Sequence, residues 1–194
     1  MRIFIAINLS HILREKLGLL TEKLKVELGQ KHIRWVKPGG MHLTLKFIGE
    51  TPSEQVDGIM NTIAEIAKKT NRFEMHVSGL GCLPDCDRPR VISIDLVEPS
   101  GELRILHKRL EAELIKVGIK SDRREFHPHL TLGRIRRGTS LIALKSLGQE
   151  IRSRDAIDLG VEAVKKFSLI KSELRPSGPV YSVLSSHALE NVKI

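Results

Sequence analysis

Two histidines and two threonines recur in one short pattern, His42-Leu43-Thr44-Leu45 and His129-Leu130-Thr131-Leu132, with the second copy displaced by 87 positions (129 − 42). Side chains alternate between the faces of an extended strand, so each His shares a side with its Thr while the leucines take the other. Two such strands brought together would gather two imidazoles and two hydroxyls around one small anion. An unperturbed imidazole titrates at about 6.5, so near neutral pH one can accept a proton while the other donates one. Hydroxyls can hold the non-bridging oxygens of a phosphoryl group, where charge builds in the transition state. The set is therefore equipment for acid-base chemistry at a phosphate, with each histidine contributing roughly 10²- to 10⁴-fold. A lone His-x-Thr is commonplace, but a second copy in a matching strand-like run is a specific signal.

The surrounding pattern predicts the elements that would position these groups. Met1 to Leu9 reads as a first strand. Ser10 then caps a helix whose Leu13, Leu17, Leu20, Leu24 and Leu28 form one face before Gly29. His32 to Val36 reads as extended, and Pro38-Gly39-Gly40 is a turn into the strand Met41 to Gly49. Thr51-Pro52-Ser53-Glu54 predicts a capping box for a second helix bearing Val56, Ile59, Met60, Ile63, Ile66 and Ala67. Phe73, Met75 and Val77 alternate as a strand expected to pair with Val91 to Val97, and Ser100 is the expected cap of a third helix ending at Gly118. After the second His-Thr strand, a helix is expected over 141–147 and strands over 157–161, 166–172 and 180–186. Short connections and successive strands predict an α+β fold, mainly antiparallel, with helices on the outer faces and a cleft between two sheets.

The chain has 194 residues, 41% hydrophobic and 28% charged, which suits one core without staples and excludes disorder along the whole length. A net charge of +9 favours a polyanionic partner, nucleic acid or nucleotide. There is no apolar run of about 18 residues to cross a membrane, and the first nine residues lack the charged leader of a signal peptide, so a cytoplasmic location is expected. Cys82 and Cys86 are too few for a structural zinc site; free thiols are expected, a local disulfide being the alternative.

On these residues the chain resembles the 2H phosphoesterase superfamily and, within it, the RNA 2′,3′-cyclic phosphodiesterase (2′-5′ RNA ligase-like) family. The match is carried by Phe4-Ile5-Ala6-Ile7, Arg34-Trp35-Val36, His42 through Glu50, Pro128 through Arg134, and Gly178-Pro179-Val180-Tyr181. The resemblance implies a single bilobal domain over 1–194, two pseudo-symmetric lobes with one His-x-Thr motif each. It also implies conversion of 2′,3′-cyclic phosphate ends of RNA or nucleotides to 2′-phosphates, with His42 as proton donor and His129 as acceptor, although the residues alone leave that assignment open. No metal or other cofactor is required, and a monomer is expected because one chain holds both half-sites. Joining of RNA in the same site, or nucleotide binding without turnover, are the alternatives.

Other residues are candidates of lower rank. Thr44 and Thr131 would bind phosphate. Arg134 could join them, but it lies three residues beyond Thr131 and so on the opposite face of a regular strand; Phe47 is off the His42 face by the same parity. Trp35, Phe47 and Tyr181 could stack on a base. His127 and His129 share a face without a third metal ligand in view, and Arg123, Arg124, Arg136 and Arg137 form basic clusters beside the second motif.

Overall fold

Alternation in the first strand decides which side of the sheet becomes core. In β1 (Arg2–Asn8) the side chains of Ile3, Ile5 and Ile7 enter the large apolar cluster, while Phe4 and Ala6 turn to the other face. The computed structural model describes residues 1–122, 124–154, 156–176 and 178–190. There the chain continues through α1 (His11–Leu28), β2 (Ile33–Trp35), β3 (His42–Glu50), α2 (Ser53–Ala67), β4 (Phe73–Leu83) and β5 (Val91–Val97). Then follow α3 (Glu102–Lys116), β6 (His129–Ile135), α4 (Leu141–Arg152), β7 (Asp158–Val164), β8 (Lys166–Arg175) and β9 (Gly178–Ala188).

Among the described residues the four α-helices bury apolar stripes in one continuous core: Leu13, Leu17 and Leu24 of α1, Val56, Ile59, Ile63 and Ile66 of α2, Leu103, Leu106, Leu110 and Leu114 of α3, and Leu147 and Ile151 of α4. Helix α1 begins as expected, with Ser10 Oγ accepting from the Leu13 N–H (3.2 Å) and Gly29 closing it at φ 72°. The capping box expected at Thr51 does not form; its hydroxyl donates to the Gly49 carbonyl (3.2 Å), and among the described residues no side chain caps α2. At α3 Ser100 Oγ accepts from the Glu102 N–H (3.3 Å), and the Glu98 carboxylate accepts from the Leu103 N–H (3.1 Å). Helix α4 runs to Arg152, beyond the expected end, because Leu147 and Ile151 share its buried face. Its Gly148 is required by close approach, since a Cβ there would lie 1.7 Å from the Cys86 carbonyl oxygen. Cys82 and Cys86 are free thiols.

The fold is α+β, and its strands run in the order β7-β4-β5-β6-β3-β1-β8-β9, with β2 beside β6. The cleft is thus not a gap between two separate sheets. One half (β7-β4-β5-β6) and the other (β3-β1-β8-β9) are joined where the two His-Thr strands meet, and β3 and β6 share one pairing, Leu43 with Leu130.

Candidate active site

That single junction sets the relation of the chemical groups. With Leu43 opposite Leu130 in antiparallel register, His42 is set across from Thr131 and Thr44 across from His129. Leu43 and Leu130 point into the core, so the four polar side chains share the opposite face, away from the helices. Each histidine therefore stands beside the other motif's threonine. Among the described residues neither threonine hydroxyl makes a hydrogen bond, so both can donate to a ligand.

The two imidazoles are held alike and surrounded differently. Each ring hydrogen-bonds the carbonyl two residues upstream: His129 Nδ1 lies 2.7 Å from the His127 oxygen, and the Gly40 carbonyl serves His42. With Nδ1–H donating, His129 is the tautomer that leaves Nε2 as an acceptor. His42 is packed in an aromatic wall, 4.8 Å from Phe4 and 5.2 Å from Tyr181 by ring centroids, the latter edge-on at 89°. Burial pulls its pKa down from 6.5 to about 4; the Gly40 hydrogen bond opposes this, and the charge of Arg134 adds to the fall. Beside His129 lies Asp95, its cross-strand partner, whose carboxyl pKa is raised by burial against the opposing influence of His129.

Strand parity misplaces two of the expected site residues, for one reason. Pairing of β1 with β3 passes from Ala6–Thr44 to Ile5–Lys46, leaving Leu45 as an extra residue; pairing of β5 with β6 passes from Ser93–Thr131 to Ile92–Gly133, leaving Leu132 extra. Such a bulge reverses the face of everything beyond it. Phe47 therefore turns to the His42 side, opposite Phe4 (5.9 Å between centroids) and 56% exposed. Arg134 likewise turns to the Thr131 side, near enough to act on both His42 and Tyr181. The same bulge points Lys46 inward, where its ammonium pairs with Glu111 of α3 (2.6 Å) and donates to the Lys120 carbonyl (3.0 Å).

Tyr181 joins the site, whereas Trp35 does not. Trp35 pairs with Gly133, packs at the edge of the core, and donates its indole N–H to the Gly29 carbonyl (3.0 Å). His127 offers its carbonyl to His129 rather than a metal ligand, and no group of three or more His, Cys, Asp or Glu converges among the described residues. Arg124 is neutralised by Asp122, whose pKa it helps hold at about 2; Arg123 lies outside the described residues. Sequence reasoning misses Phe4, Asn8, Ser93 and Asp95 as site residues. Strand alternation in β1 and the 87-residue offset, which maps Ala6 to Ser93 and Asn8 to Asp95, are the signals that find them. Ser93, across from Thr131, has a buried Oγ with no partner among the described residues.

A cavity of about 580 Å³ opens beside His42 and Tyr181, away from His129. Among the described residues no helix is long and apolar enough to cross a membrane.

Comparison with known proteins reproduces the internal duplication. The family described as LigT-like phosphoesterase matches residues 7–93 and again 94–181, so its two copies start at the same 87-residue offset as the motifs (94 − 7). An RNA 2′,3′-cyclic phosphodiesterase of Aquifex aeolicus is 33% identical over 172 residues, covering 88% of this chain and 89% of its own. One from Aeropyrum pernix is 34% identical over 152 residues, 78% of this chain and 84% of its own. Among solved structures, TT0787 of Thermus thermophilus superposes with a TM-score of 0.81 at 26% identity over all of both chains. Escherichia coli LigT complexed with 3′-AMP superposes with a TM-score of 0.75 at 23% identity over 97% of each and shares the fold.

Proposed function

Because the chain belongs to the LigT-like phosphoesterase family, we propose that it is an RNA 2′,3′-cyclic phosphodiesterase in which His42 and His129 divide the proton transfers. The observation that carries this reading is the shared face: two imidazoles, each fixed by a backbone carbonyl, crossed with two unengaged threonine hydroxyls at the junction of the halves.

His129 Nε2 takes a proton from water as the water oxygen bonds to phosphorus. Thr44 and Thr131 hold the non-bridging oxygens, with the Arg134 guanidinium nearby. The bond from phosphorus to the ribose O3′ breaks, and His42 gives that oxygen its proton, leaving a 2′-phosphate and a 3′-hydroxyl. Without substrate, burial keeps His42 unprotonated at neutral pH. A phosphate anion set against it favours the charged ring, so His42 takes up a proton from solvent as the substrate binds. No step calls for a metal, and one chain supplies both half-sites as a single bilobal unit acting as a monomer. The free thiols Cys82 and Cys86 suit the reducing cytoplasm.

The test is hydrolysis, in EDTA, of an oligoribonucleotide ending in a 2′,3′-cyclic phosphate. The expected product is the 2′-phosphate; no product, a 3′-phosphate, or full activity in His42→Ala contradicts the reading. Supplying a second strand with a 5′-hydroxyl tests whether that group can replace water and yield a 2′-5′ linkage.

A further inference from the structure

The cavity beside His42 has features that the hydrolytic step leaves unused. Asn8, Arg14, Lys165, Lys166, Tyr181 and His42 line it, and its volume of about 580 Å³ is within the range that accommodates a nucleotide. Its cations are not spent on the protein. Among the described residues Lys165 and Lys166 form no ion pair or side-chain hydrogen bond, and Arg14 reaches only the Ser10 carbonyl of its own helix at 3.4 Å. The one carboxylate in the wall, Glu162, is already engaged by the Ser10 N–H (2.6 Å) and hydroxyl (2.7 Å). Asn8 donates to Ser168 (3.0 Å), which keeps its amide carbonyl free as an acceptor beside His42. Ile170, Val183 and Tyr181 give the cavity an apolar side.

Reaction geometry assigns a direction to this space. The attacking and leaving oxygens of a phosphoryl transfer stand roughly in line on opposite sides of phosphorus. When His42 protonates O3′, the ribose carrying that oxygen lies on the His42 side, where the cavity is, and water enters on the His129 side. The next charge along the strand is the phosphate on the 5′ carbon of the same ribose. We propose that this cavity seats the terminal nucleoside of an RNA end, with Arg14, Lys165 and Lys166 holding the phosphodiester on its 5′ side. The inference rests on the hydrolase reading above and adds a subsite to it, one for the 5′-side phosphate that favours RNA ends over free nucleoside 2′,3′-cyclic phosphates.

Three substrates test it at fixed ionic strength: adenosine 2′,3′-cyclic phosphate, the same compound bearing a 5′-phosphate, and the dinucleotide ApA ending in the cyclic phosphate. Charge-assisted contacts to the added phosphate are expected to raise kcat/KM about tenfold or more for the second and third over the first. In the Lys165→Glu/Lys166→Glu double variant, and in Arg14→Ala to a smaller extent, that ratio falls towards one. Hydrolysis of all three with equal kcat/KM, or a preference that both variants retain, overturns the subsite and leaves the hydrolase reading standing. Preference for the dinucleotide without preference for the bare 5′-phosphate also overturns it, because stacking of a second base would then be the cause. Hydrolysis of none overturns both.

Discussion

The His42 and His129 half-sites share a tetrapeptide, a bulge after the threonine and a carbonyl two residues upstream, yet their neighbours differ at each equivalent position. Phe4, Ala6, Asn8 and Phe47 surround the first; Val91, Ser93, Asp95 and Arg134 stand in the same places around the second. One imidazole is half-buried against aromatic rings and a cavity, and the other sits beside a carboxylate. Duplication has supplied the same scaffold twice, and substitution around it has separated the environments of two identical groups. Such a difference in environment is what the proposed division into acid and base requires.

The largest expected effect comes from removing either member. His42→Ala and His129→Ala should each lower kcat on a cyclic-phosphate oligoribonucleotide by about 10²- to 10⁴-fold. If they act as a unit, the double variant loses little more than the worse single one. Full additivity would mean that the two histidines contribute independently of each other. Next in size is Lys46, buried on the helix side of β3 where β6 has Gly133. Lys46→Ala leaves Glu111 without its ammonium and should cost about 3–5 kcal/mol of unfolding free energy, read from urea denaturation. At the equivalent Gly133, a Cβ would press to 2.8 Å from Ile33 Cγ2, so Gly133→Ala should cost less if Ile33 can shift.

The half-buried His42 also makes stability depend on pH. The unfolded chain binds the His42 proton up to about 6.5 and the folded chain only up to about 4, so the unfolded state holds more protons between these values. Stability should fall as pH is lowered from 6.5 to 4 and be flat above, with His42 accounting for about 3 kcal/mol. His107 and His187, whose pKa values burial also lowers, add to the same slope. The diagnostic is therefore the difference from His42→Gln, which should remove most of it. Smallest is the exchange of cross-strand partners. Asn8→Asp puts a carboxylate opposite His42 and should raise its titration midpoint, whereas Asp95→Asn should leave that midpoint in place.

Sequence alone carries the pattern of the site and less of its geometry. The leucines of each motif enter the core and leave His42, Thr44, His129 and Thr131 together, as period-two alternation requires. Helix stripes and most strands are legible for the same reason. Phe47 and Arg134 are not, because counting alternate residues assumes an unbroken ladder and one extra leucine in each strand inverts the count. Trp35 resembles a stacking residue by type, but its position follows from pairing with Gly133, a contact no local pattern encodes. Burial of His42 depends on Phe4 and Tyr181, which lie far apart along the chain from each other.

The inequality of the two histidines is tested most directly by following the His42 ring resonances by NMR as pH is varied, free and with a bound nucleoside 2′-phosphate. The structure predicts a midpoint of about 4 in the free protein that moves upward when the phosphate binds. A free-protein midpoint near 6.5, or one the phosphate leaves unmoved, would contradict the account of a half-buried acid that takes up its proton as the substrate binds.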